Sequence, residues 1–240
     1  MVLTSAGQEL LFSVRHGLGL LAQAFGASPV PARAARLSIS VLPAFAACWL
    51  VPRLRDFRTA HPDIDIDLRS SLDLADFKSD RIDAAIRYGQ GGWPGVVSFK
   101  LSDETLFPVC SPSYLMQKNL REPGDLERCT LLHTPWQSWD IWLQAAGLTL
   151  PRTGPSYPDS LLLMQAAVAG EGVALGRSVL MRDEIAAGRL VRPFTLSVPN
   201  PNAYFLVQPP RTPKAAAITA FRDWMEAGMT IPIEGPDERA

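Results

Sequence analysis

The sequence predicts an α/β fold, with a parallel sheet carrying helices on both faces and a separate long helix in front. Three observations predict it. From Leu37 onward, strand-like and helix-like runs alternate, the order that builds parallel strands with crossover helices. The run "IDIDLR" alternates strictly, with Ile64, Ile66 and Leu68 on one face and Asp65, Asp67 and Arg69 on the other. The run "SLLLMQAAVA" is apolar nearly all round, so it predicts a helix buried on most sides.

The first 25 residues stand apart. Leu11, Val14, Leu18, Leu21 and Phe25 recur at spacings of three and four, a heptad seam that predicts a dimerisation helix over residues 1–27. "GASPVPARAAR" then reads as a linker. "LSISVL" is a strand. "PAFAACWLVPRLRDFRTAH" is a helix that Pro52 should kink or divide. "LADFKSD" is a short helix and "DAAIRYG" a strand. "SFKLSDETLFPVCSP" is a long extended run, "SPSYLMQKN" a helix capped by Ser111, "LLHTP" a strand, and "WDIWLQAAG" a helix closed by Gly147. After the buried helix come the strand "VAL", the helix "SVLMRDEIAAG", and the strands "RLVRPF" and "AYFLVQP". The closing helix "KAAAITAFRDWMEAG" puts Ile218, Phe221, Trp224 and Met225 on one face.

Composition narrows the function classes. The chain has 240 residues, 47% of them hydrophobic and 20% charged, with a formal charge of −1. That is ordinary for a globular protein, and the absence of a basic stripe argues against nucleic-acid binding by these residues. Cys48, Cys110 and Cys129 are odd in number and lack metal-ligand spacing, so reduced thiols in a cytoplasmic protein are expected, with no metal and no cofactor. No apolar run reaches the roughly 18–20 residues of a membrane span, and no secretory signal is evident.

Gly170, Gly172 and Gly176 invite a phosphate-loop reading. The order of elements opposes it: such a loop runs strand, glycines, helix, whereas here a helix precedes and a strand follows. The glycines instead end a helix. No G-x-S-x-G elbow, H-E-x-x-H or C-x-x-C is present, and a lone His133 after an apolar strand is more often structural than catalytic, so no enzyme is expected. Ligands of parallel sheets sit beyond the carboxyl ends of the strands. Those ends supply Pro43, Ala44, Ser70, Ser71, Arg87, Tyr88, His133, Thr134, Trp136, Gly176 and Arg177, a set suited to a small polar or anionic ligand. The bland alternative is that Arg87 and Arg177 pair with nearby carboxylates.

The stretches "AFAACWLVPRLRDFRTAHPDIDIDL", "DAAIRYGQGGWPG", "LFPVCSPSYL", "DSLLLMQAAVAGEGVALG" and "AAGRLVRPF" together resemble the effector-sensing portion of LysR-type transcriptional regulators. Within that family they resemble the branch with a glycine-cleavage activator and a β-lactamase regulator. "VLTSAGQELL" is similar to the family's junction between a winged helix-turn-helix and its linker helix, which implies a DNA reader upstream. The resemblance implies two Rossmann-like subdomains of periplasmic-binding-protein type II kind, 36–108 plus 203–228 and 109–202, with a small-molecule effector between them. It also implies dimers or tetramers, and DNA contact only through the upstream domain. A solute-binding protein of a transporter has the same two-lobed plan and is the alternative. One departure stands out: many relatives carry a hydroxyl residue where this chain has Ala44.

Overall fold

A computed structural model of the chain describes residues 14, 35–73, 77, 81–151 and 153–229. Leu11, Leu18, Leu21, Phe25 and most of "LADFKSD" lie outside the described residues, while Val14 is helical and exposed.

Strand β1 (Ala35–Val41) lies second from the edge of the first sheet. Leu37, Ile39 and Val41 are fully buried on one of its faces, as period-two alternation requires. It pairs in parallel with β2 (Ile64–Ser70) and β3 (Ala84–Gly89). Beyond β3 the pairing reverses. The last strand among the described residues, β9 (Ala203–Gln208), inserts antiparallel between β3 and β4 (Val97–Ser102), giving the order β2-β1-β3-β9-β4. The expected parallel arrangement therefore describes only half of this sheet.

The second sheet has the order β6-β7-β5-β8, from β5 (Thr105–Val109), β6 (Leu131–Leu132), β7 (Val173–Arg177) and β8 (Val198–Pro199). The run "SFKLSDETLFPVCSP" is thus two strands in two sheets, with the pairing changing between Ser102 and Thr105. β5 pairs wholly in the second sheet. The return crossing lies between Pro199 and Ala203, and the two crossings are tied where the Asn200 N–H donates to the Glu104 carbonyl at 2.9 Å. "RLVRPF" is not a strand. Val191 makes one bridge to Cys110, and Pro193, with no N–H to give, ends the ladder.

Helix α1 runs as an α segment Pro43–Phe45, a π turn Ala46–Leu50 and an α segment Val51–Ala60. Pro52 does not divide it. The Val51 N–H reaches back to the Ala46 carbonyl, and this widened turn sits where the proline ring would otherwise clash with the preceding turn. Its face buries Phe45, Trp49, Leu50 and Phe57 completely. Phe57 meets Phe221 edge-on at 5.3 Å, on the closing helix α6 (Ala215–Met229).

Helices α2 (Pro112–Lys118) and α3 (Asp140–Ala145) cover the second sheet, and the Ser111 hydroxyl caps α2 by accepting from the Tyr114 N–H. Helix α4 (Ser160–Val168) buries Leu163, Met164, Ala166 and Ala167, though Leu162 is exposed. Its turn into β7 explains the glycines. Gly170 has φ +82°, the left-handed residue that ends the helix. At Gly172 a Cβ would stand 2.3 Å from the Thr130 carbonyl oxygen, so only glycine lets β7 enter beside β6. Helix α5 (Ser178–Ala186) follows β7 without a loop.

Candidate functional site

Residues from both sheets line one cleft, whose enclosed space of about 20 Å³ is far below that of an occupied small-ligand site, so a ligand needs the two sheets to part. Of the sequence-predicted site residues, the structure brings Pro43, Ala44, Tyr88, Trp136 and Arg177 together there. Leu42, Leu72, Asp159 and Ser160 complete the lining.

Arg177 is the centre. It ends β7 and forms the N-cap of α5, and only 4% of it is exposed. Its Nη2 donates to the Ser160 hydroxyl at 3.0 Å. Its guanidinium carbon lies 4.1 Å from the Tyr88 ring centre and 5.6 Å from that of Tyr204, both rings belonging to the first sheet. Such cation–π stacking contributes about 0.5–2 kcal/mol and links the two sheets. Burial disfavours the charge on Arg177, but Tyr204, Glu104 and Tyr88 outweigh it and raise its pKa above the ordinary arginine value.

The network around this cation is incomplete. Among the described residues, Arg177 Nε, Tyr204 OH and Glu104 Oε2 are buried without a hydrogen-bond partner. Buried polar atoms are nearly always paired, so three orphans near one cation call for a further polar partner such as an ordered water. Glu104 lies at the crossing from β4 to β5, 3% exposed, and its Oε1 accepts from the Val179 N–H of α5 at 3.3 Å. Burial pushes its carboxyl up to about 7, against the pull of Arg177, the Val179 N–H and the Tyr88 hydroxyl.

Six predicted site residues do not line this cleft. Arg87 is 5% exposed, but β3 alternation turns it to the sheet face opposite Tyr88. There it donates to the Ser40 hydroxyl and the Ile86 carbonyl, both at 3.3 Å, and burial lowers its pKa. Neither Arg87 nor Arg177 has a carboxylate within ion-pairing distance among the described residues, so the bland alternative of simple pairing fails for both. Ser70 ends the edge strand β2, and just past it the Ser71 hydroxyl accepts from the Asp73 N–H. His133 and Thr134 border a separate depression with Gln137 and Asp140, and His133 Nε2 faces the Thr153 carbonyl at 3.2 Å. Gly176 is buried against Met181 and Val109.

Asp159, Ser160, Glu104 and Tyr204 escaped the sequence reading. Asp159 had a local signal: an acidic residue just before an apolar run is a helix cap, and its Oδ1 accepts from the Leu161 and Leu162 N–H groups at 2.8 and 2.9 Å. Glu104 and Tyr204 do not line the cleft but are brought near Arg177 by pairing between distant strands, which no local pattern reveals.

The described residues hold no cluster of three or more potential metal ligands. Burial pushes the Cys48 and Cys110 thiols up to about 12, so neither is a ready nucleophile at neutral pH. No helix among the described residues is long and apolar enough to cross a membrane.

Residues 32–230 match the LysR substrate binding domain. The chain is 39% identical over 233 residues to the glycine cleavage system transcriptional activator of Escherichia coli K12, covering 95% of this chain and 76% of that protein. It is 33% identical over 227 residues to the transcriptional activator AmpR of Rhodobacter capsulatus, covering 94% and 78%. The effector domain of AmpR from Pseudomonas aeruginosa superposes with a TM-score of 0.70 at 33% identity, over 81% of this chain and 95% of that one. These relatives are transcriptional regulators, which weighs against the transporter alternative. The chain belongs to the LysR-type transcriptional regulators and carries their effector-binding domain.

Proposed function

We propose that the cleft around Arg177 is the effector site, and that the domain is a sensor without catalytic activity. The observation that carries this is a buried guanidinium that lines the cleft and touches both sheets. Arg177 from the second sheet lines the cleft, stacks on Tyr88 of the first and holds Ser160. A polar or anionic effector that meets both Arg177 and Tyr88 is held by both sheets at once. The sheets then act as two lobes joined at the paired crossings. Effector binding favours one spacing of the lobes over another. A full reversal of such an equilibrium takes about 5.5 kcal/mol of differential binding.

In this reading the protein works in the cytoplasm. The heptad seam at Leu11, Val14, Leu18, Leu21 and Phe25 pairs two chains, and DNA is contacted by a winged helix-turn-helix ahead of it. The lobe spacing alters how the chains pack and how the DNA bends. A thermal-shift screen of the chain against organic acids, amino acids and cell-wall fragments tests the site. A binder should raise the Tm of the native chain as mass action requires, and Arg177→Lys, which keeps the charge but loses the planar fork, should reduce that rise. An equal rise in the variant contradicts the assignment.

A further inference from the structure

Two helices begin at the cleft and run back from it in contact. Ala44 on α1 and Ser160 on α4 line the cleft. One turn further along each helix, Cys48 and Met164 meet, and the Cys48 thiol donates to the Met164 sulfur at 3.8 Å. Helix α1 is the crossover between β1 and β2 of the first sheet, and α4 packs on β6 and β7 of the second. The two sulfurs therefore face each other across the seam between the sheets. Cys48 is half-buried, and Met164 is 3% exposed.

Thiolate and thioether are both soft ligands, the kind that select Cu(I) over hard cations. A metal–sulfur bond is about 2.3 Å, so one ion fits between sulfurs 3.8 Å apart at an angle of about 110°. A parting of under about 1 Å makes the arrangement linear. The local field suits a cation as well. Glu184 and Asp183 on α5 and Asp159 at the head of α4 act on Cys48 as negative charges, against the positive charge of Arg177. At neutral pH the thiol keeps its proton, because burial and then Glu184 push it up to about 12.

We propose that Cys48 and Met164 form a two-sulfur site for a soft monovalent ion such as Cu(I), which fastens α1 to α4 behind the cleft. On binding, the ion takes the place of the hydrogen on the Cys48 sulfur, and the proton passes to solvent. A lone pair of the Met164 sulfur completes the coordination, and neither sulfur is oxidised. Zinc is not the occupant. Its structural sites take four ligands, and among the described residues no three of His, Cys, Asp and Glu come together. An ion held by both helices favours the present spacing of the sheets.

The test is anaerobic titration of the full chain with Cu(I) held by bicinchoninate, whose colour reports the copper it gives up. Cys129→Ser serves as the background, because it removes the other partly exposed thiol, whereas Cys110 is fully buried. This chain should take one Cu(I), and X-ray absorption should show two sulfurs on the ion. Met164→Leu, close in volume, should weaken binding at least ~10-fold, and Cys48→Ser should abolish it. Cu(I) should raise the Tm of the background chain more than that of either variant. If Cys129→Ser does not fold, the same two substitutions in the native chain decide, by one equivalent lost in Cys48→Ser and a weaker hold in Met164→Leu. No copper withdrawn from the chelator, an equally tight hold in Met164→Leu, or an equivalent retained in Cys48→Ser overturns the proposal. The sulfur pair lies behind the cleft and needs no effector, so its failure leaves the effector site untouched.

Discussion

Arg87 and Arg177 make an instructive pair. Both stand at or near the carboxyl end of a buried strand, both are at least 95% buried, and neither has a carboxylate within ion-pairing distance among the described residues. Yet their surroundings differ. Arg177 has two tyrosine rings, a serine hydroxyl and the charge of Glu104, and its pKa is raised. Arg87 has two hydrogen bonds at 3.3 Å, and burial alone lowers its pKa. The same residue type at the same kind of position is an interaction centre in one sheet and a tolerated buried cation in the other. Strand position nominates a residue, whereas the face it points to and the charges around it decide its role.

The largest expected effect breaks the comparison at its centre. Arg177→Met should destabilise the fold by about 3 kcal/mol or more, because it strands Glu104 in a dry environment and removes both ring contacts. Arg87→Met should be neutral or stabilising, because an unpaired buried cation is replaced by an apolar chain of similar length. Urea denaturation of the two variants measures the difference, and equal losses would erase the distinction.

A somewhat smaller effect sharpens the role of Glu104. Its folded pKa, about 7, is above the ordinary 4.5, so the native state holds a proton that the unfolded chain releases between those values. Stability therefore falls as pH rises from about 4.5 to about 7, and the full cost, at most about 3 kcal/mol, persists above that. Glu104→Gln should flatten this slope and be the more stable protein at pH 8; a native slope that survives the substitution would assign it to another group.

Much of the Arg87–Arg177 distinction was legible. Alternation along "AAIRYG" places Arg87 and Tyr88 on opposite faces, so only one of them can face a given cleft. Likewise the cap before "SLLLMQAAV" marks Asp159 and Ser160 as the start of a helix near strand ends. Helices and strands with strong periodicity were legible for the same local reason. What was not legible is non-local. The antiparallel entry of β9 brings Tyr204 to Arg177, and the paired crossings bury Glu104 beside it. Both arise from contacts between residues far apart in the chain. "RLVRPF" shows the opposite failure: it has a strand's composition, but Pro193 and a partner offering a single bridge leave it unpaired.

The smallest effect probes the link between sheets away from the cleft. Arg53 on α1 forms a forked pair with Asp183 on α5, at 2.8 and 2.6 Å, with both side chains partly exposed. Asp183→Asn should cost under about 1 kcal/mol in thermal denaturation, because solvent screens the pair. A loss approaching that of Arg177→Met would move the main link between sheets out to this surface.

The most direct measurement is a calorimetric titration of one binder from the screen into the native chain, Arg177→Met and Arg87→Met under identical conditions. The account predicts that Arg177→Met loses binding by ~100-fold or more, the scale of a lost buried charge-assisted contact, while Arg87→Met binds as the native chain does. Undiminished binding in Arg177→Met, or a comparable loss in Arg87→Met, would contradict it.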